Sequence, residues 1–278
     1  MISIIIPAHN EEKVICRLLS SILEGAAPDE LEIVVVCNGC SDATAEVSRS
    51  FGANVHVIET AAANKAGALN LGDARATAFP RFYVDADVII TLDHIRKIAD
   101  RLMFGDVLAA SPSANVNTHG ASKAVKYFYR AIGGLPSAKE GMGTSGVYAL
   151  SSEGRSRFAN FPDLIADDTF VRAHFQVHER VTLDEAQSLV FAPQDVRSLV
   201  AIKTRAYAGN YQLSRLYGPG WRGGSKSNAT SLLQCLLQPN GFICLLTYCY
   251  VVGLARIRAS LRSTGRKAKW DRDLTSRQ

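Results

Sequence analysis

The stretch "FYVDADVII", residues 82–90, brings two carboxylates, Asp85 and Asp87, to the end of an apolar, β-branched run. In extended backbone, residues two apart face the same side, about 7 Å from each other. Two ionised carboxylates so placed repel one another and lose solvation, and a divalent cation beside them reverses that penalty. Oxygen donors suit Mg2+ or Mn2+, whereas a soft metal would ask for thiolate or imidazole. The spacing alone is a weak signal, because aspartates separated by one residue occur in many chains. Its place at the end of a strand gives it weight.

That strand belongs to a regular series. "SIIIPA", "EIVVVC", "NVHVIE" and "RFYVDAD" are short β-branched runs. Helical patterns lie between them, at residues 11–25 with Val14, Leu18, Leu19 and Ile22 on one stripe, at 42–51, and at 65–78. Strands alternating with helices of this length predict right-handed βαβ units and a mostly parallel, Rossmann-like sheet flanked by helices. Ligands of such sheets gather at the carboxyl ends of the strands. The first strand runs into "PAHNEE" and the second into "CNGCSDAT", so Pro7, His9, Asn10, Glu11, Asn38 and Gly39 converge with Asp85 and Asp87 on one edge. Taken singly, each of these is ordinary turn or cap chemistry. Asn38 and Gly39 could also read the edge of a planar base.

The remaining composition sets bounds. The 278 residues are 47% apolar, enough for one large α/β domain or a domain with an appendage. The N-terminus "MISIIIPAHN" lacks a basic leader and a long apolar core, and reads as the first strand of a cytosolic protein. Cys37 and Cys40 form a C-x-x-C with no second pair to complete a zinc site. They read as small residues at a turn, with a redox dithiol as the alternative. From residue 256 to 278 there are eight Lys/Arg and two Asp/Glu, leaving a body near −1 out of the overall +5. A basic tail on a near-neutral body points to an anionic surface as the partner of the tail.

Beyond residue 110 the pattern changes. "ASKAVKYFYRAI" predicts a helix, "GTSGVYALS" a strand, residues 166–177 a helix, and "VRSLVAIKTRAYAGNYQLSRLYG" a long helix. Residues 227–255 carry no charged side chain, and Pro239-Asn240 leaves "GFICLLTYCYVVGLA", fifteen residues, as their apolar part. A spanning helix needs about 20. A helix lying in a membrane interface is the reading, with a bilayer span and an extra core layer as alternatives. The expected division is therefore residues 1–226 and an apolar helical segment with a basic tail at 227–278.

The order "SIIIPAHNEE", "VVVCNGCSDAT", "NKAGALN", "YVDAD" resembles the family 2 glycosyltransferases with the GT-A fold, most closely over residues 2–87 and more loosely past 110. The resemblance implies an inverting, metal-dependent, hexosyltransferase-type enzyme that uses a nucleotide sugar. Pro7, His9 and Glu11 would line the nucleoside pocket. Asn38 stands where the family usually has an Asp on the base, a departure that leaves UDP against GDP open. Lys65 would lie near the base or phosphates. Asp85 and Ala86 would approach the ribose or the metal, and Asp87 would be the direct ligand of Mg2+ or Mn2+. "IADDTFV" matches the family's acidic pair, with Asp167 in the Glu position and Asp168 as the base for an acceptor hydroxyl. "KTRAYAGNYQ" resembles the Q-x-x-R-W segment, with Lys203 and Arg205 as basic groups for the leaving diphosphate and Ala206 in place of the Trp.

The implied partners are a UDP- or GDP-linked sugar, a glycan or lipid-linked acceptor of the polysaccharide-building kind, and an anionic membrane surface at the cytoplasmic face, with no nucleic acid. A nucleotidyltransferase and a non-catalytic binding or membrane-docking module are the alternatives. "GPGWRGG" contains G-x-G-x-x-G but follows no strand, so it is not a dinucleotide fingerprint. A closing loop with Trp221 or Arg222 as a lid contact is expected there instead.

Overall fold

The computed structural model describes residues 1–133, 135, 142, 145–218, 232 and 234–262. The loop with Trp221 and Arg222, and the tail from residue 263, lie outside the described residues. The chain folds as two compact units. The described parts of Met1–Asn115, Gly141–Asp163 and His174–Val190 form the first, and those of Val116–Glu140, Leu164–Ala173 and Phe191–Gln278 the second.

The first unit opens with β1 (Ile2–Ala8), α1 (Ile15–Leu23), β2 (Leu31–Asn38), α2 (Thr44–Arg49), β3 (Val55–Thr60), α3 (Lys65–Arg75), β4 (Arg81–Val84) and α4 (Leu92–Met103). The chain continues through β5 (Ala109–Asn117), β6 (Val147–Leu150), a short α6 (Ser152–Arg155) and β7 (Arg180–Phe191). Between β5 and β6 lies α5 (Lys123–Gly133), which belongs to the second unit. Among the described residues the seven strands are ordered β3-β2-β1-β4-β6-β5-β7. β1 pairs in parallel with β2 and β4, and β2 with β3, whereas β6 runs antiparallel to β4 and β5. The mostly parallel, helix-flanked sheet expected from the sequence is present.

The core follows from the residue types. Every residue of β1 and β2 is buried, as continuous β-branched runs require when helices cover both faces. Ile15, Leu18, Leu19 and Ile22 of α1 form the stripe that meets the sheet. Pro7 sits in β1 beyond its last paired position with β4, Ile5, so its missing N–H leaves no ladder bond unmade on that side.

Two carboxylates, buried Glu32 and partly buried Asp73, tie the far end of the sheet. Glu32 accepts from Ser3 Oγ (2.6 Å) and the Thr77 N–H (2.7 Å). Asp73 accepts from Arg81 (2.7 Å), Arg155 (2.7 Å) and the Tyr83 hydroxyl (2.5 Å). Burial raises both carboxyls, but these donors outweigh it and hold them below their ordinary values of 4.5 and 3.8. A carboxyl whose pKa is lowered by folding stabilises the fold above its unfolded value and loses that contribution as pH falls through the folded one. Denaturant stability is therefore expected to be flat above about pH 5 and to fall steeply below about pH 4. Asp73→Asn, which leaves buried Arg81 and partly buried Arg155 short of a counter-charge, should cost about 3–5 kcal/mol and flatten that acid limb.

In the second unit, α7 (Asp167–Arg172), α8 (Val196–Tyr217) and α9 (Gly241–Arg262) accompany α5. Val125 and Phe128 of α5, Leu199 and Val200 of α8, and Val251 and Val252 of α9 make its core. The apolar helical extension expected after residue 226 is α9. It continues through the basic residues to Arg262, and so is longer than the fifteen-residue apolar stretch suggested; by length and composition Gly241–Leu261 could cross a bilayer.

Candidate active site

In the first unit the polar strand ends do meet at one edge of the sheet. The imidazole Nδ1 of half-buried His9 lies against the main-chain carbonyl of Asn38. The Asn38 amide, 1% exposed, donates to the Ala8 carbonyl at 2.8 Å, joining the exits of β1 and β2. Glu11 is buried, and its N–H donates to Thr44 Oγ1 at 2.7 Å. Beside them is an open hollow of about 420 Å3 lined by Cys37, Gly39, Cys40, Glu59, Thr60 and Ala61. Asn38 is not among its lining, so the polar side chains offered there are those of Glu59 and Thr60. Neither was read from the sequence, although their place at the end of "VHVIET" was a signal that β3 also delivers residues to this edge.

Burial, reinforced by neighbouring Cys40, pushes the Cys37 thiol up to about 12. That shift works against thiolate chemistry at Cys37 itself, and both cysteines of the C-x-x-C are free thiols.

Asp85 and Asp87 leave β4 half-buried, with Ala86 buried between them. Lys65, the first residue of α3, reaches Asp85 at 2.7 Å. Asn64 caps that helix by accepting from the Gly67 N–H at 2.9 Å, which fixes where Lys65 starts. The aspartate loop is held from two further sides. The Asp85 N–H donates to the Gly146 carbonyl at 2.8 Å, and Ile89 exchanges backbone bonds with Leu189 of β7. Gly146 has φ +67°, and a Cβ there would come within 2.5 Å of Val88 Cγ1. Only glycine lets the chain pass so close to the aspartates.

Among the described residues no group of three or more His, Cys, Asp or Glu could enclose a metal by itself. Two hard carboxylates at an open strand end still fit Mg2+ or Mn2+, which is commonly held by one or two carboxylates with phosphate and water oxygens.

The second unit carries the other four residues. Asp167 is 8% exposed and Asp168 exposed, at the start of α7. Asp168 accepts from the Thr169 N–H at 2.6 Å. The preceding segment rests on α8. The Ile165 N–H donates to Gln212 Oε1 at 3.3 Å, and a Cβ on Gly209 would come within 2.8 Å of Ala166 Cβ. Lys203 and Arg205, two positions apart on one helix, point to different faces. The Lys203 ammonium lies over the Phe128 ring, 5.5 Å from its centre, and burial pushes it below the usual lysine value. Arg205 is half-buried.

The family model described as glycosyl transferase family 2 covers residues 3–153, more than half the chain and the whole of the strand edge described above. A 4,4'-diaponeurosporenoate glycosyltransferase of Staphylococcus aureus is 41% identical over 91 residues, which are 31% of this chain. The match spans about a quarter of that relative's length (24%). A mannosyltransferase from Pyrobaculum calidifontis, solved with GDP-mannose and Mn2+, superposes with a TM-score of 0.67 at 19% identity, over 96% of this chain and 88% of that one. The glucosyl-3-phosphoglycerate synthase of Mycobacterium tuberculosis, solved with Mn2+, UDP and glucosyl-3-phosphoglycerate, gives 0.54 at 18% identity, over 82% and 81%. These structural likenesses are of fold, the GT-A fold. With the family model over more than half of its length, the chain belongs to glycosyl transferase family 2.

Proposed function

We propose that the protein transfers a sugar from a nucleoside-diphosphate sugar to a hydroxyl of a glycan or lipid-linked acceptor, with inversion at the anomeric carbon. The observation that carries this reading is the aspartate pair at the exit of β4, held by Gly146 and Leu189 and faced by Lys65 at 2.7 Å. A strand end of this kind sets carboxylates and a cation around one small volume, as a diphosphate demands.

The donor's nucleoside would rest at the hollow beside His9 and Glu11, with Glu59 and Thr60 offering polar contacts. Asp87, with Asp85, would hold a divalent cation, which supplies charge neutralisation for the diphosphate. Lys65 adds a protein cation at the same place. Asp168 accepts the proton of the acceptor hydroxyl as its oxygen bonds to the anomeric carbon. In the same displacement the anomeric carbon's bond to the diphosphate oxygen breaks, and that oxygen keeps the electron pair. Arg205 is assigned to the leaving group. Lys203, drawn over the Phe128 ring, is instead assigned to the packing of α8 on α5. A single displacement without a protein nucleophile gives inversion.

Product analysis tests the reading. Incubation with UDP- and GDP-sugars and Mn2+ should release a nucleoside diphosphate. A parallel incubation with UTP or GTP and a sugar 1-phosphate that released pyrophosphate would mark a nucleotidyltransferase, and no release in either incubation, with or without acceptor extracts, a binding module.

Gly209 bears on the same reaction. A methyl group at this position must displace the 165–166 segment, and Asp167 and Asp168 move with it. Gly209→Ala should lower kcat by about tenfold or more while donor KM stays within about twofold, since small displacements near the chemistry cost rate more than binding. The overpacking should also cost about 1–3 kcal/mol of stability. Equal kcat with a lowered melting temperature would reduce Gly209 to a packing residue.

A further inference from the structure

We infer that the outer face of α9 lies in the plane of an anionic membrane surface. Phe242, Leu246, Tyr250 and Ile257 are between 53% and 66% exposed and form one stripe along the helix. The stripe runs over roughly 22 Å at the α-helical rise. Leu237, just before the helix, is 89% exposed. The opposite face, with Cys244, Val251, Ala255 and Ala259 at 0%, is packed inside the unit. A helix that covers the core of a soluble protein turns its polar residues outward. This one is apolar on both sides, and its outer apolar side has no cover within the chain's described residues.

Charge names the occupant. The three packed helices α5, α8 and α9 contain ten Lys/Arg and no Asp/Glu. Lys123, Lys126 and Arg130 on α5, Arg197 on α8, and Arg256 and Arg258 on α9 are exposed. The chain from residue 256 onward has eight basic and two acidic residues. Large apolar side chains combined with an excess of cations suit anionic lipid, where the side chains enter the acyl boundary and the cations meet head groups. A purely electrostatic partner such as nucleic acid would leave the apolar stripe unused.

The packing also sets the orientation. A spanning α9 would either leave its buried face or carry α5 and α8, with their charged residues, into hydrocarbon, where each charge is costly. Lying flat satisfies both faces. A hydroxyl acceptor carried on a lipid would then share the surface with the enzyme.

The test uses the full chain with vesicles of phosphatidylcholine, with and without phosphatidylglycerol. Wild type should sediment with the anionic vesicles at least about tenfold more strongly than with the neutral ones, weaken with salt, and be released by alkaline carbonate. Leu246→Glu/Ile257→Glu, both at exposed positions, should bind anionic vesicles about tenfold less or worse, with an unchanged melting temperature and unchanged nucleotide binding. Equal binding of wild type and variant, or no binding by wild type, would overturn the inference. So would retention after carbonate treatment, which would mark a spanning helix. A wild-type dimer in lipid-free solution that the variant abolishes would assign the stripe to a second copy of the chain instead. None of these outcomes depends on sugar transfer, so failure here leaves the proposed reaction standing.

Discussion

Asp168→Asn is expected to lower turnover by about 10²–10⁴-fold, the range over which a positioned general base contributes. The substitution is nearly isosteric. Its amide oxygen can still accept from the Thr169 N–H, now met at 2.6 Å, so the first turn of α7 should persist. What is lost is the capacity to take a proton from the acceptor hydroxyl. Donor KM and melting temperature should therefore stay close to wild type, and steady-state kinetics at saturating donor with a melting curve check all three. Asp168 is exposed, so its replacement unpairs nothing in the core. An Asn variant within about twofold of wild-type turnover would remove Asp168 from the reaction and return the acidic pair to helix-start chemistry.

The second large effect is expected at Asp87. Asp87→Ala removes one of two oxygen donors at the strand end, and Asp85 is already engaged by Lys65 at 2.7 Å. With no larger acidic cluster among the described residues to compensate, the affinity for Mn2+ in the presence of nucleoside diphosphate should fall by at least about 100-fold, since loss of even an outer-shell partner costs 10–100-fold. Paramagnetic resonance of Mn2+ reads this directly and independently of turnover. The fold should be spared, because Asp87 is half-buried at a loop whose course is set by Gly146 and Leu189. Mn2+ binding equal to wild type would place the ion elsewhere or exclude it from the site.

Legibility in the sequence followed residue type closely. β1 to β4 were readable because β-branched runs, turns and helical stripes succeed each other with clear periods, and the same periods place the aspartates at a strand exit. The helix expected at 65–78 stops at Arg75 because the next N–H groups are taken up by tertiary partners: Thr77 donates to Glu32 and Ala78 to Ser3. The helix expected at 166–177 ends at Arg172. At Gln176 a new capping box with Glu179 starts a separate turn at Val177–Glu179.

β5 and β7 could not be read. "AASPSANVN" holds a proline and few β-branched residues, and "RVTLDEAQSLVF" carries Asp184 and Glu185 mid-strand with no two-residue period in its burial. The roles of Gly146 and Gly209 were likewise hidden, since each is defined by a neighbour far away in the chain. For Lys203 and Arg205 the motif placed both on one helix but could not tell which face each would take. The ring of Phe128 decides that for Lys203.

Everything proposed for the reaction rests on the edge formed by β1 to β4 being a nucleoside-diphosphate site completed by a divalent cation. Calorimetric titration of the chain with UDP and with GDP, each with and without Mn2+, is the decisive measurement. One of the two nucleotides should bind, and removing Mn2+ should weaken that binding by at least about tenfold. Absence of binding by either nucleotide in the presence of Mn2+ would contradict it.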